Sequence, residues 1–166
     1  RRALASYLDH GGSLFMSGQE IAQHFVDRDP EWLRRYLRVA KLAHTNAFNE
    51  IIGVGPMDGI AAPLHGGDGA DNSYDPDAIV PALGAEEIFI YGTTTASSLG
   101  TAAVRQARGQ RRTVFFGFNF ESIDTAGTRH EVMARVMDWI NPTCNGKATT
   151  LDGTHGDDVI FGTEHD

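Results

Sequence analysis

The stretch Thr113–Ile123, TVFFGFNFESI, constrains the fold more than any other part of the chain. It begins as a run of β-branched and aromatic residues of the kind a buried strand accommodates. Val114, Phe116, Phe118 and Phe120 keep one face apolar to the end, whereas on the other face Phe115 gives way to Gly117, Asn119 and Glu121. In open α/β sheets, sites lie at the carboxyl ends of strands. A strand that turns polar on one face as it ends therefore points to a site there, with Asn119 and Glu121 as its candidates.

The surrounding pattern alternates. RRALASYLDHGG places Ala3, Leu4, Tyr7 and Leu8 on one helical stripe, stopped by Gly11 and Gly12. SLFMSG reads as a short buried strand and QEIAQHFV as a helix. Asp29 and Pro30 are cap and first-turn signals for a third helix, EWLRRYLRVAKL. FNEIIGVG and EEIFIYG read as strands on either side of a long Gly/Asp-rich loop, LHGGDGADNSYDPDAI. TAAVRQA and RRTVFFGF form a predicted hairpin around Gly109. GTRHEVMARVMDWI is a final helix with a core stripe of Met133, Val136, Met137 and Ile140, ended by Asn141 and Pro142. Strands alternating with helices predict an α/β layer with a mostly parallel sheet, to which the hairpin adds an antiparallel element.

The chain has 166 residues, enough for one domain with a core. Its net charge of −8 disfavours nucleic acid and anionic membranes as partners, and no apolar run approaches the roughly 20 residues of a membrane span. It opens without Met inside a predicted helix, so it is expected to be a fragment, and the lack of a signal peptide carries no weight. The single cysteine, Cys144, excludes an internal disulfide and reads as a loop thiol.

After Pro142 the character shifts. Residues 142–150 read as a polar linker, and 151–166 as the start of a repeat. Gly153-Thr154-His155-Gly156-Asp157-Asp158-Val159-Ile160-Phe161 fits the nonapeptide G-G-x-G-x-D-x-U-x, with Thr at the second Gly position, and Gly162-Thr163 restarts it nine residues later. The pattern resembles the RTX (hemolysin-type) calcium-binding repeats of secreted bacterial proteins. The resemblance implies an incomplete β-roll tail, calcium as the bound ion, and an extracellular or cell-surface location. Asp158 would be the side-chain ligand, Asp166 an approximate second one, and the turns through Gly153, His155, Gly156 and Gly162 would add oxygens for a hard cation.

Residues 1–141 carry a second resemblance. YLDHGGSLFMSGQEIA, LHGGDGADNSYDPDAI, GAEEIFIYG and RTVFFGFNFESI…RHEVMARVMDWI are together similar to a class I glutamine amidotransferase-like domain, in the version found as an accessory module of large secreted bacterial proteins. This implies a flavodoxin-like fold, truncated at its amino end, with other domains of the same parent chain as partners. Active members of that family use a cysteine on a Gly-flanked elbow, and a later Gly-Val-Gln-Phe-His-Pro-Glu-like motif supplies His and Glu. Laid on this sequence, the elbow is Phe15-Met16-Ser17-Gly18-Gln19 and the motif is Gly117 to Ile123. Ser17 then replaces the cysteine, Glu121 stands for the His and Ile123 for the Glu. A serine without a base is not activated, so the leading expectation is a non-catalytic module. The alternative is a divergent hydrolase using Ser17 or Glu121 with a loop histidine, His44 or His65.

Ser17-Gly18-Gln19-Glu20 also matches a capping box, which would make Ser17 the cap of the following helix; Thr128 to Glu131 is a second such box. The loop residues Asp68, Asp71, Asn72, Asp75 and Asp77 offer hard oxygen ligands without the spacing of an EF-hand. A loop of Asx turns that binds nothing is favoured over metal, glycan or peptide contact.

Overall fold

The computed structural model describes residues 2–45, 50–92, 100–141, 143–144 and 147–148, without the side chains of 43–45, 143–144 and 147–148. The repeat residues Gly153, His155, Gly156, Asp158, Gly162 and Asp166 lie outside the described residues.

Helix α1 (Arg2–Asp9) leads into strand β1 (Leu14–Ser17), followed by α2 (Ile21–Arg28) and the short α3 (Pro30–Trp32), which continues as a π-helical turn, Leu33–Leu37. Asp29 caps α3, its side chain accepting from the Trp32 N–H at 3.2 Å, and Pro30 opens the helix. Arg38 adopts a left-handed conformation and stops the helix. Val39–Leu42, read from the sequence as helix, therefore belongs to strand β2 (Val39–Thr45). Six further strands follow: β3 (Glu50–Gly53), β4 (Ala61–Pro63), β5 (Asp77–Pro81), β6 (Glu86–Tyr91), β7 (Gly100–Arg108) and β8 (Arg111–Phe116). Helix α4 (Ala126–Ile140) follows, and then a two-residue pairing of Thr143–Cys144 with Lys147–Ala148.

The main sheet runs β1-β8-β7-β6-β3-β4, with β2 joined through β5 to β7. β1 and β8 are parallel, and every other strand pairing among the described residues is antiparallel. This corrects the expected mostly parallel, flavodoxin-like sheet. The reason lies in the connections. A parallel pair needs a crossover of a dozen or more residues, usually a helix, yet no α-helix intervenes anywhere from β2 to β8. Helices flank only β1 and the end of β8, and those two strands make the parallel pair. The expected β7–β8 hairpin around Gly109 is present.

Each face of the sheet has its own core. Ile51, Phe89, Phe116 and Phe118 pack with Val132 and Val136 of α4. Phe116 and Phe118 stack at 4.9 Å, and Phe89 meets Phe116 edge-on at 5.6 Å. On the other face Leu8, Ala22, Trp32, Leu33 and Leu37 cover Val104 and Phe115. The α4 stripe is shifted from expectation: Val132 is buried, whereas Met137 is 44% exposed. Its cap is shifted too. Thr125, not Thr128, is the N-cap, accepting from the Thr128 N–H at 3.2 Å.

Candidate functional site

Because β1 and β8 run parallel, Ser17 sits beside Phe116, and the chain leaves both strands at the same end. The Ser17 hydroxyl donates to the Phe118 carbonyl at 2.7 Å and accepts from the Phe120 N–H at 2.8 Å. Gly18 N–H donates to the Phe116 carbonyl at 3.3 Å. Ser17 thus ties β1 to the segment beyond β8, and its one donor and one of its two acceptor lone pairs are used on main chain.

The capping role expected of Ser17 is not observed. α2 begins at Ile21, and its N-cap position is held by Glu20 at φ 58°, ψ 3°, with no side-chain cap of its own. The sharp strand-to-helix turn is therefore centred on Glu20, three residues beyond Ser17, the centre of the elbow expected from the sequence. A non-glycine residue in this region is strained by about 1 kcal/mol, so the surrounding contacts must hold it.

Much of that hold comes from Asp77, at the start of β5. Its Oδ2 accepts from the Ala22 N–H at 2.8 Å, and its carboxylate also accepts from the Gln23 backbone. A side chain 55 residues away in sequence thereby caps α2. Asp77 is 1% exposed. Burial pushes its carboxyl up to about 6; the Ala22 and Gln23 hydrogen bonds oppose the shift, and the neighbouring charges of Asp75 and Glu20 reinforce it.

The polar face seen in the sequence anchors the Gly/Asp loop. Gln19 Oε1 accepts from the backbone N–H groups of Tyr74 at 2.7 Å and Asp75 at 3.0 Å. Gln19 N–H donates to Asn119 Oδ1 at 3.0 Å, and Asn119 Nδ2 donates to the Asn72 carbonyl at 2.9 Å. Asn72 Nδ2 reaches Glu121 Oε1 at 3.1 Å, while its Oδ1 accepts from the Ser122 hydroxyl. The Glu121 carbonyl accepts from the Ala70 N–H at 2.8 Å. Asn119 and Glu121, singled out from the strand pattern, are thus brought together with Ser17 at one sheet end, but as fasteners of a loop.

The remaining candidates are dispersed over other contacts. His65 Nδ1 bonds Asp71 Oδ1 at 3.1 Å. Residue His44 lies in β2 rather than in a loop, and its side chain falls outside the described residues. Asp68 pairs with Arg129 at 2.7 Å, and Asp77 serves α2. Among the described residues no group of three or more His, Cys, Asp or Glu is placed to hold a metal ion. The sequence missed Gln19, Asn72 and Asp77 as members of this network. Their bonds join segments 47 to 100 residues apart, and no local pattern reports such contacts.

No family model matches the chain, and neither does any curated protein. Solved structures do match. The chain resembles part of two β-galactosidases. One is the enzyme from Bacillus circulans sp. alkalophilus, at TM-score 0.54 and 14% identity over 82% of this chain and 20% of that one. The other is from Rahnella sp. R3, at TM-score 0.53 and 16% identity over 87% of this chain and 22% of that one. At these identities the likeness is one of fold, and the chain spans about a fifth of the length of either enzyme. No described helix is long and apolar enough to cross a membrane.

Proposed function

We propose that residues 1–141 are a non-catalytic module of a large secreted bacterial protein, and that the repeat beginning at Gly153 binds calcium for the same parent chain. The observation that carries the first part is the Ser17 hydroxyl, committed to the Phe118 carbonyl and the Phe120 N–H. The loop pinned over the same strand ends by Gln19, Asn72 and Asn119 supports it. A nucleophile needs a base in reach, and the described partners of Ser17 are both main chain. The amidotransferase-like resemblance enters as an account of where an ancestral site lay, between the Glu20 turn and the end of β8. The likeness to a fifth of two β-galactosidases favours a parent acting on glycans. Glu121, the other candidate for a divergent hydrolase, is occupied with Asn72 and the loop backbone.

Purified protein should turn over neither glutamine nor nitrophenyl esters above background. Ser17→Ala should instead lower stability by about 2 kcal/mol, since it orphans a carbonyl and an N–H together. Turnover that Ser17→Ala abolishes would overturn the reading.

The donor set of the tail suits calcium in its chemistry: the Asp158 and Asp166 carboxylates, with turn carbonyls through Gly153, His155, Gly156 and Gly162, are hard oxygen donors. Repeats of this kind need stacked neighbours. A longer stretch of the parent chain, carrying three or more repeats, should gain β-structure on calcium addition, followed by circular dichroism. Asp158→Ala should weaken the titration; a signal indifferent to calcium counts against the assignment.

A further inference from the structure

The opposite end of the β1–β8 pair holds a different kind of surface. Two short stretches, Arg34–Arg38 and Arg108–Arg112, carry six of the chain's 14 Lys and Arg residues, in a protein of net charge −8. A cavity of about 500 Å³ opens between the turn after α1, the π-helical turn and the β7–β8 hairpin turn. Its lining includes Asp9, His10, Arg35, Arg108, Gln110 and Arg111. That size is within the range of small-molecule sites.

The three guanidinium groups are unequally satisfied. Arg35 donates to Asp9 Oδ1 at 2.9 Å, and Asp9 Oδ2 accepts from the Tyr36 hydroxyl at 2.9 Å. Arg111 is only 4% exposed, yet its nearest carboxylate contact, Asp9 Oδ1, is at 3.7 Å. Its NH2 group donates to the Arg35 carbonyl at 3.3 Å, and its Nε is buried with no hydrogen-bond partner among the described residues. The Arg108 side chain is exposed and has neither a hydrogen bond nor an ion pair among the described residues. Three cations thus line one concavity with a single carboxylate, which pairs with only two of them. A buried guanidinium with an unused donor is costly, and a like charge next to it adds to the cost. Burial, followed by the Arg108 charge, holds the Arg111 pKa below its usual value.

We propose that this cavity binds a small multivalent oxyanion, with Arg108 and Arg35 closing on it over the fixed charge of Arg111. Guanidinium groups recognise carboxylate and phosphate oxygens through paired, planar hydrogen bonds, so these two groups are the ligand chemistries the site would take. Asp9 acts as an internal competitor: its carboxylate holds Arg35 in place but repels an incoming anion. The proposal is independent of any role assigned to the strand ends.

The test is isothermal titration of the intact chain with citrate and with inorganic phosphate, against chloride at matched ionic strength. Saturable binding of at least one is expected. Preference for citrate identifies a polycarboxylate ligand, and preference for phosphate a phosphorylated one. Arg108→Gln, at an exposed hairpin position, should fold normally and weaken binding about tenfold, the usual worth of one charge-assisted hydrogen bond. Asp9→Asn should tighten binding about five- to tenfold, because a nearby negative charge is removed. A merely structural Asp9–Arg35 pair would leave affinity unmoved or reduced. The proposal fails if neither anion binds beyond the chloride control, or if folded Arg108→Gln binds as the unmodified protein does.

Discussion

Replacing Gly117 with alanine should destabilise the protein by about 3 kcal/mol or more. A Cβ built there would lie 2.3 Å from the Asp77 carbonyl oxygen, and 3.2 Å from both the Asp77 carbonyl carbon and its Cβ. The obstacle is backbone in a buried strand, which cannot swing aside as a side-chain tip can. Gly117 accepts from the Asp77 N–H at 2.6 Å and donates to the Ala102 carbonyl at 2.8 Å, and the Tyr91 hydroxyl reaches the Asp77 carbonyl at 3.2 Å. Relieving the clash therefore pulls on three hydrogen bonds, each worth about 1 kcal/mol, besides the packing of Phe116 and Phe118. Gly127, in the first turn of α4 with open space at its Cβ position, is the control. There alanine should be neutral or raise stability by up to about 1 kcal/mol. Urea midpoints of the two variants should separate clearly. A Gly117→Ala protein as stable as the unmodified one would mean that β5 does not meet the end of β8 as described.

That junction also shows how far the sequence could be read. The elements with strong local signals were legible: helix α1 (although its packed side is Leu4, Ala5 and Leu8, while Ala3 and Tyr7 of the expected stripe are exposed), the apolar run of β8, the hairpin at Gly109 and the Asp29-Pro30 helix start. So was the polar turn of the strand at Asn119 and Glu121. The pairing of strands was not. Val39–Leu42 continues a helical stripe in sequence, and only the left-handed Arg38 converts it to strand. Asp77–Ile79 reads as the tail of a Gly/Asp loop, because the burial that makes Asp77–Pro81 a strand comes from Gly117 and β2, far along the chain. With β2 and β5 unseen, the alternation of strands and helices suggested crossovers that do not exist, and so a parallel sheet. The site suffered in the same way. S-x-x-E is a valid capping pattern, but a tertiary cap from Asp77 displaced it.

Asp77 also sets a pH dependence opposite to that of an ordinary surface carboxylate. Its folded-state pKa is about 6, against a usual value of 3.8. Below the unfolded value both states hold the proton, so stability does not vary with pH through Asp77 and its contribution is fully present. Between the two values the folded state keeps a proton that the unfolded state has lost, so the stability contributed by this group falls as pH rises and is lost once pH passes the folded pKa. The shift corresponds to about 2–3 kcal/mol at neutral pH. Asp9, whose pKa is lowered chiefly by the Tyr36 hydrogen bond, acts in the other sense, so the informative quantity is the difference between variant and unmodified protein. Asp77→Asn keeps an amide oxygen to accept from the Ala22 N–H and removes the buried charge. It should be more stable than the unmodified protein at pH 7.5 by about 2 kcal/mol, and the advantage should shrink steadily towards pH 4. Asp77→Ala removes the cap as well, and should be less stable than Asp77→Asn at every pH because the first N–H groups of α2 are then buried without acceptors. Denaturant titrations of the three proteins from pH 4 to 7.5 distinguish the cases. If Asp77→Asn is destabilised at pH 7.5 and recovers on acidification, the carboxylate is a net favourable cap, and the helix N–H groups outweigh the cost of its burial.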